Sequence, residues 1–441
     1  MSIFTKLENN FMNIIHSFFL IYMFFAFAFS RSFIGLYIFD YRIGEIGIGL
    51  TFVLLILLVF KNFENLKTKI HNYDFRKINS FLIFSFLLIA FGTETNLFAP
   101  YTYKASSYIW TFSIFFMGVH GYKFKISSQL IFLFEIILLS IFFISIYDFP
   151  TYVIDFFNTY SDKYEPHKGS DLGLFFIIVT LLVNKFYKYS RLSFVIFIIN
   201  LGFFLPLILY RSRAAFIGLM IFVVYQFIVF NKNNQVVKVQ NVPFIIVFML
   251  IASYSTIVSQ VKDFPEEISG EVIANSYSTL GEYRFQHYQG DYPLLYFENG
   301  RIYSGDGNLN WRLDMWQEQI NYMVDNDTTI YGSGYNERLY VFLYDNTGYG
   351  NDRGGLDNIN ENIHNYFVQI FSRGGFIHLS FFLFIYVKIC KLYLKANSNK
   401  EILFFIIPLI WISLFDSSME NAHFPIIFYY FLGRFYFSKN F

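Results

Sequence analysis

The sequence has little charge and only one cysteine. Asp, Glu, Lys and Arg make up 15% of its 441 residues, against about 25% in a soluble globular domain, which argues against a water-soluble enzyme of two or three domains. The single cysteine, Cys390, excludes an intrachain disulfide and a metal site built from cysteines. The 33 basic and 32 acidic residues give a net charge of +1, so we predict no nucleic-acid partner.

Long apolar runs are what the sequence has instead. Hydrophobic residues make up 55% of the chain and the mean hydropathy is +0.43. Many runs approach the roughly 20 residues that cross a bilayer as a helix. We therefore predict an all-α polytopic membrane protein with about twelve transmembrane helices. The predicted spans are 11–29, 44–60, 80–98, 105–120, 129–147, 171–186, 192–210, 214–230, 243–259, 366–387, 401–415 and 424–437.

The distribution of basic residues predicts which connections face the cytoplasm. Connections on one side, together with both termini, carry 19 Lys and Arg residues, whereas the short connections on the other side carry seven. Because basic residues collect inside, both termini are predicted to be cytoplasmic. This sidedness divides the chain into transmembrane helices 1–9 (residues 1–259), a large loop or cap on the outer side (260–365) and helices 10–12 (366–441).

The large loop is too long to be structureless, so we predict a small ordered cap. The loop carries 17 acidic residues. Residues 310–326 read as a helix with Asn310 as N-cap, and Trp316, Ile320 and Met323 fall on one face. Turns are predicted at 346–350 and 352–355.

Several familiar catalytic motifs are missing. There is no phosphate-binding Gly-rich loop ending in Lys-Ser/Thr, no His-Glu-x-x-His and no Gly-x-Ser-x-Gly. ATP does not occur on the outer face. Chemistry on that face therefore needs a substrate that already contains its leaving group.

Two arginines flank a serine between the seventh and eighth spans, in the segment Tyr210-Arg211-Ser212-Arg213-Ala214-Ala215. Ser212 is placed to cap the eighth helix, which brings free backbone N–H groups and the positive helix end beside Arg211 and Arg213. This combination suits a phosphate or pyrophosphate, because Arg binds such oxygens bidentately and keeps its charge. The alternative is that the arginines only reach for the membrane interface.

Arg312 stands in the segment Trp311-Arg312-Leu313-Asp314-Met315-Trp316. It falls in the first turn of the predicted cap helix, again at a positive helix end. It is therefore a second candidate for binding an anion. The alternative is a salt bridge to Asp314 or Glu318.

His364 stands at the entrance to the tenth span, in the segment His364-Asn365-Tyr366-Phe367-Val368-Gln369, ahead of Gly374-Gly375. Histidine titrates near neutrality and is the usual general acid or base. A position in the first turn of a helix favours the neutral imidazole, whereas nearby Glu361 favours the charged form. The alternative is a structural histidine that is hydrogen-bonded at the interface.

Weaker candidates lie elsewhere. Glu420 and His423, in the last outer connection, are placed to line the same cleft as His364. Glu135, in the fifth span, is an intramembrane acid for which a functional role and a buried partner are equally open. Asp325-Asn326-Asp327 resembles the metal-binding acids of nucleotide-sugar transferases but lies outside, where such donors are scarce. We predict no metal site and no cofactor.

Taken together, the three main segments resemble the O-antigen ligase/polymerase superfamily of bacterial envelope glycosyltransferases. That superfamily has many spans and a long outer loop before the last helices. Residues 212–215 resemble its Ser-Arg-small-small motif, residues 312–316 its Arg-x-x-x-Trp motif, and residues 364–365 its His-Asn motif. Two spaced glycines follow the His-Asn motif in the superfamily, and Gly375 occupies the position of one of them. The resemblance covers roughly residues 195–440. Ala214 and His378 stand where glycine is common, so tight helix packing near His378 is not expected.

The resemblance implies a metal-independent transfer of a glycan from undecaprenyl pyrophosphate to a sugar hydroxyl. Arg213, Arg211 and Arg312 would stabilise charge on the leaving pyrophosphate. His364 would deprotonate or orient the acceptor hydroxyl, and the large loop would close over the donor. The substrate-binding residues implied are Arg211, Ser212, Asn365, Tyr331 and Glu420, with Tyr335 as a second aromatic for sugar stacking.

Two related activities fit. A polymerase joins lipid-linked repeat units, and a ligase transfers the finished glycan to lipid A–core; we slightly favour the polymerase. The implied partners are the lipid-linked donor, a glycan or lipid A–core acceptor, membrane lipids and a chain-length regulator. The implied location is the bacterial inner membrane, with a periplasmic active site. A flippase is a competing class, but it predicts repeat symmetry and helices broken at matching Gly or Pro positions, and the sequence shows neither.

Overall fold

Helices dominate the computed structural model, which describes residues 3–61, 70–121, 126–233, 242–260, 295–343, 361–397 and 399–437. Lipid cannot hydrogen-bond to the backbone, so apolar runs satisfy their own N–H and C=O groups as helices. The chain is an all-α polytopic membrane protein, as predicted. The helices are α1 (Ile3–Ile34), α2 (Ile43–Lys61), α3 (Ile70–Gly92), α4 (Pro100–Ala105), α5 (Ser107–Thr111), α6 (Ile114–His120), α7 (Ser128–Tyr147), α8 (Thr151–Tyr160), α9 (Gly169–Phe186), α10 (Arg191–Arg211), α11 (Arg213–Lys232), α12 (Val242–Gln260), α13 (Gly307–Asp325), α14 (Tyr340–Leu343), α15 (Tyr366–Ala396), α16 (Glu401–Ser413) and α17 (His423–Phe437).

Within the described residues, six helices are long and apolar enough to cross a membrane: α1 from His16 onward, α7, α9, α10, α11 and α15. Five shorter apolar stretches lie in α2, α3, α5–α6, α12 and α16. With α17, these helices overlap all twelve predicted spans. The hydropathy pattern therefore located the helices of the bundle.

Two predicted spans differ from the observed helices. The third, predicted at 80–98, is shifted towards the N-terminus. The fourth, predicted at 105–120, is broken into α4, α5 and α6. The breaks include Ser106 and Ser113, whose hydroxyls donate to carbonyls of the preceding turn at 2.6 and 2.7 Å. Such side-chain bonds compete with the helical backbone pattern.

α17 lies in the centre of the bundle, and residues 424–436 are all buried. Its close packing against α6 depends on two glycines. A Cβ on Gly118 would lie 2.0 Å, and one on Gly433 2.2 Å, from a backbone oxygen of the facing helix. Small residues permit this approach. The start of α17, at His423, is thereby held in the middle of the bundle.

α15 is interrupted at Gly375, where φ is +60°. A Cβ at this position would lie 2.1 Å from the carbonyl oxygen of Ile330. The break lets the chain after the cap helix pack against α15. The Ser333 N–H donates to the Ser372 carbonyl across this contact (2.7 Å). Glycine at 375 therefore joins the cap to the tenth span.

The cap contains the antiparallel hairpin β3 (Tyr296–Glu298) and β4 (Arg301–Tyr303), followed by α13. The prediction of Asn310 as N-cap was wrong. The carboxylate of Asp306 accepts the Leu309 N–H (2.9 Å) and starts α13 earlier, whereas the Asn310 side chain accepts the Ser304 N–H. The fully buried face of α13 is also displaced from the predicted one; it consists of Met315, Gln319 and Met323.

The remaining connections on the predicted outer side are short. Strands β1 (Tyr37–Ile38) and β2 (Tyr41–Arg42) form a hairpin between α1 and α2, and α8 lies between α7 and α9. The turns predicted at 346–350 and 352–355 lie outside the described residues, as does the part of the large loop at 261–294.

Candidate functional site

A cavity of about 1730 Å³ lies where several helices end. Five of the six connections predicted to be outside contribute to its lining, through Arg31, Lys104, Lys168, His364 and His423 among others. We call this space the central cavity. Its formation brings together chain segments that are far apart in sequence.

The central cavity is charged along part of its wall and apolar along another part. The basic residues that line it are Arg31, Arg42, Lys104, Lys163, Lys168 and Arg373, and the acidic ones are Glu45, Asp162, Glu165, Glu361 and Glu420. An apolar arm is lined by Ile46, Ile48, Phe52, Ile83 and Trp110 of α2, α3 and α5. The space is therefore suited to an amphiphile that carries both charge and hydrocarbon.

His364 lines the central cavity just before α15. Its backbone has φ +57°, and its ring packs edge-on against Trp311, with the centroids 5.3 Å apart. Burial, together with the charges of Arg312 and Lys168, lowers the pKa of His364 to about 3. The imidazole is therefore neutral at physiological pH.

Glu361 does not oppose this effect, because its carboxylate is engaged elsewhere. It pairs with Lys104 at 2.9 Å and with Arg338 at 3.1 Å. Glu361 lines the central cavity and ties the connection before α5 to the cap.

Glu420 holds the backbone on which His364 lies. Its two carboxylate oxygens accept the N–H groups of His364 (3.3 Å) and Asn365 (2.8 Å). Burial raises the pKa of Glu420 to about 8, although these two hydrogen bonds favour the charged form. Asn365 in turn caps α15, since its side-chain oxygen accepts the N–H groups of Phe367 and Val368. Of these two predicted residues, Glu420 lines the cavity with His364, whereas the side-chain oxygen of Asn365 caps the helix.

Ser212 is the N-cap of α11, as the sequence predicts, and accepts the Ala215 N–H at 3.2 Å. Arg213, the first residue of α11, forms an ion pair with Asp306 at 2.7 Å. Asp306 is the N-cap of the cap helix, so this pair joins the membrane bundle to the cap.

Arg312 lies next to the same pair. Its guanidinium donates to the Phe415 carbonyl, and it is close enough to Asp306 and Arg213 to interact with both charges. Its charge also reaches His364. Asp314, the salt-bridge partner considered in the sequence, pairs with Arg301 at 2.6 Å. The structure thus brings Arg213, Arg312 and His364 into one neighbourhood, in which His364 lines the central cavity and the two arginines lie behind its wall.

Other predicted residues lie apart from this neighbourhood. Arg211 donates to the Ser145 carbonyl and ties α10 to α7. Tyr331 is 44% exposed on the cap and does not line the central cavity. Tyr335 cannot stack on a sugar as expected, because it is fully buried and bonds to the Tyr108 hydroxyl (3.1 Å).

His378 is likewise a core residue. Its Nε2 lies 2.9 Å from the Ser85 hydroxyl oxygen and its Nδ1 lies 2.7 Å from the Tyr108 hydroxyl oxygen. These bonds join α15 to α3 and α5. The close packing that the missing glycine called into question is therefore present, because hydrogen bonds of the His378 ring join the three helices.

The sequence reasoning missed several residues of the cavity wall. Arg373 is 2% exposed, donates to the Glu337 carbonyl and the Tyr101 hydroxyl, and lines the cavity. A single arginine within an apolar run indicates a paired or functional charge, so Arg373 could have been identified from the sequence. Glu165 pairs with Arg31 and Lys168, at 3.1 and 3.0 Å; the i,i+3 spacing of Glu165 and Lys168 was visible, but their link to α1 was not.

Residues 174–383 match the family model described as O-antigen ligase. The match begins in α9 and ends in α15, so it contains Arg213, Arg312 and His364 but neither the first three outer connections nor the last. The comparison with curated proteins gives no match. The family implies an activity of the ligase/polymerase type, with a lipid-linked glycan donor and a glycan acceptor. The match over residues 174–383 supports a relationship to the O-antigen ligase/polymerase superfamily that the motifs resemble.

Proposed function

We propose that the protein transfers a glycan from undecaprenyl pyrophosphate to a sugar hydroxyl and that it joins repeat units as an O-antigen polymerase. The central cavity carries this proposal, because His364, charged side chains and an apolar arm share one space. The family match supplies the reaction class. The donor brings its own leaving group, so the reaction requires no ATP.

Arg213 and Arg312 are the groups that stabilise the departing pyrophosphate. Guanidinium groups bind phosphate oxygens bidentately and remain charged. Positive charge fixed in place before the reaction lowers the barrier as negative charge develops. Lys168 lines the cavity and adds a third positive group. These side chains supply the charge for a metal-independent reaction, with Arg211 and Ser212 supporting the start of α11.

His364 orients the acceptor. The N–H of its neutral ring donates a hydrogen bond to the oxygen of the attacking hydroxyl, and Glu420 fixes the backbone beneath that ring. Alignment of the hydroxyl with the anomeric carbon removes an entropic part of the barrier. The cap, joined to the bundle by the Arg213–Asp306 pair, covers this site.

The apolar arm is the place for the polyprenyl chain of the donor. It runs along α2 past Ile46, Ile48 and Phe52. Nearby side chains on the same helix, Leu50 and Val53, are 40% and 54% exposed. Such a surface suits hydrocarbon, and the charged part of the cavity lies next to it for the pyrophosphate.

A polymerase must recognise its own repeat unit, and the cavity has a wall for this purpose. Arg31, Arg42, Lys104 and Tyr41 line the cavity but lie before the family match begins at residue 174. The wall that carries His364 lies within the match. We infer that the wall before residue 174 binds the particular repeat unit, whereas the wall that carries His364 performs the chemistry shared by the family. A ligase would use the same chemistry with lipid A–core as acceptor.

We place the site on the periplasmic face of the inner membrane, with both termini in the cytoplasm. The connections that line the cavity are those poor in basic residues relative to the opposite side. A chain-length regulator is the expected protein partner of a polymerase.

The decisive experiment removes the gene and separates the surface polysaccharide on a gel. Core carrying one repeat unit would support the polymerase. Long polymer left on the carrier lipid would instead show a ligase. Unchanged polysaccharide would contradict both activities.

The His364→Ala variant tests the site. Returned to the deletion strain, it should leave the glycan in the same form as the empty strain, because the acceptor is no longer oriented. Its amount in the membrane, and its thermal unfolding in detergent, should match wild type. Normal polysaccharide with this variant would remove His364 from the mechanism.

A further inference from the structure

Asp171 and His423 form a buried pair on the wall of the central cavity. Asp171 lies in the first turn of α9, His423 begins α17, and each is 2% exposed. The Nε2 atom of His423 lies 3.0 Å from Oδ1 of Asp171. The other carboxylate oxygen accepts the Ser30 hydroxyl (3.1 Å) and the Lys168 backbone N–H (3.2 Å). Asp171 is therefore held from two sides while it holds the imidazole.

This arrangement decides which nitrogen of His423 carries a hydrogen. An ionised carboxylate only accepts hydrogen bonds, so Nε2 must donate to Asp171. In the neutral ring, Nδ1 then has a free lone pair. Among the described residues Nδ1 is buried without a hydrogen-bonding partner, and His423 is one of the residues that line the central cavity. A carboxylate that orients an imidazole in this way prepares it to accept a proton, as in serine proteases.

His364 is less suited to that task. Its ring packs on Trp311 and faces the positive charges of Arg312 and Lys168. These surroundings penalise an imidazolium, and a base works best when its pKa lies near the ambient pH. The ring of His423 instead has a carboxylate oxygen of Asp171 3.0 Å from its Nε2. The two histidines are linked through Glu420. This residue precedes His423 by three positions, and its carboxylate accepts the backbone N–H of His364.

We propose that His423 is the catalytic base for the acceptor hydroxyl and that Asp171 is its positioning residue; this inference rests on the proposed glycosyl transfer. The acceptor oxygen forms a bond to the anomeric carbon. The bond from that carbon to the pyrophosphate oxygen breaks, and its electron pair leaves with the pyrophosphate. The hydroxyl proton passes to Nδ1 of His423, and the resulting imidazolium, stabilised by Asp171, later releases it to water.

The test uses membranes of the deletion strain that contain each variant of the full chain, with lipid-linked glycan extracted from that strain as donor. His423→Ala should lower kcat by about 100-fold or more, with little change in the KM for donor. Added imidazole should restore part of the activity, because it can enter the space that the ring leaves. A merely structural histidine would not respond to imidazole.

Asp171→Asn provides an independent measurement. The amide can donate to Nε2 and so move the ring hydrogen of His423 to Nδ1, where it blocks proton acceptance. We expect kcat to fall by about 100-fold or more while KM stays the same. If His423→Ala does not fold, Asp171→Asn tests the proposal on its own, and an unchanged kcat for Asp171→Asn would overturn it.

His167→Asn is the matched control. His167 is also 2% exposed and bonds to the Phe27 carbonyl (3.0 Å), but it does not line the central cavity. Its activity per folded molecule should remain near wild type. Full activity of His423→Ala, or a loss that imidazole does not restore, would overturn the assignment of the base. A wild-type protein that does not use this donor would overturn the proposed function and, with it, the inference.

Discussion

Positive side chains around the candidate site are held by carboxylates. Arg213 pairs with Asp306 at 2.7 Å, Lys168 with Glu165 at 3.0 Å, and Lys104 with Glu361 at 2.9 Å. A pair of this kind keeps a long side chain in one orientation before substrate arrives. In the proposed reaction, a bound pyrophosphate would share or replace the carboxylate, so the cation would need little rearrangement.

Arg213→Lys tests whether the fork of the guanidinium matters. The variant keeps the charge but loses bidentate contact, and activity should fall about tenfold, measured as transfer from lipid-linked glycan in membranes. Arg301→Lys is the control, since it alters another ion pair of the cap, with Asp314, and should retain activity. Full activity of Arg213→Lys would leave Arg213 as an interface anchor.

Glu420→Gln should reduce the loss of stability at alkaline pH. Burial raises the pKa of Glu420 from 4.5 to about 8, so the folded protein keeps a proton that the unfolded chain releases. The free energy of unfolding therefore falls as the pH rises from 4.5 to about 8. Glutamine has no such proton. Thermal unfolding in detergent at about pH 6 and about pH 9 should show a smaller drop in Tm for the variant; equal drops would contradict the raised pKa.

Whole helices were easier to predict than their details. Hydropathy located helices at all twelve predicted positions, six of which are long and apolar enough to cross a membrane, because burial in lipid is decided by composition over a whole run. The cap of α11 at Ser212 was predictable because it depends on a local hydrogen bond. The breaks in the fourth span were not predicted, because a few serines within an apolar run change its mean hydropathy very little. Whether a serine hydroxyl bonds to its own helix does not appear in that average. The Asp171–His423 pair spans 252 positions, and no local pattern carries that information.

Gly375→Ala tests the break in α15. The left-handed backbone costs alanine roughly 1–2 kcal/mol, and a Cβ would lie 2.1 Å from the Ile330 carbonyl oxygen. We expect both the Tm in detergent and the activity to fall, the Tm by several degrees, because the chain after the cap helix can no longer pack against α15. Gly49→Ala is the control, as an added Cβ there meets nothing within 4 Å. An unchanged Tm for Gly375→Ala would mean that the break is not required.

Across the whole molecule, the central cavity gathers the connections on one side of the bundle, and cysteine labelling can show which side that is. Cys390 is the only cysteine, so Cys390→Ser provides a clean background. Asp155→Cys, on exposed α8, should react with an impermeant maleimide in spheroplasts, whereas Asn233→Cys, at the exposed end of α11, should react only after lysis. The reverse pattern would invert the topology and place the site in the cytoplasm.

The central position of α17 also has a consequence for biosynthesis. Helices leave the ribosome in chain order, so the other spans are made before α17, the helix at the centre of the bundle, is present. His364 is made earlier than Glu420, which holds its backbone, and earlier than the Asp171–His423 contact can form. If the proposed function is correct, nascent chains are therefore expected to remain inactive until the final span inserts.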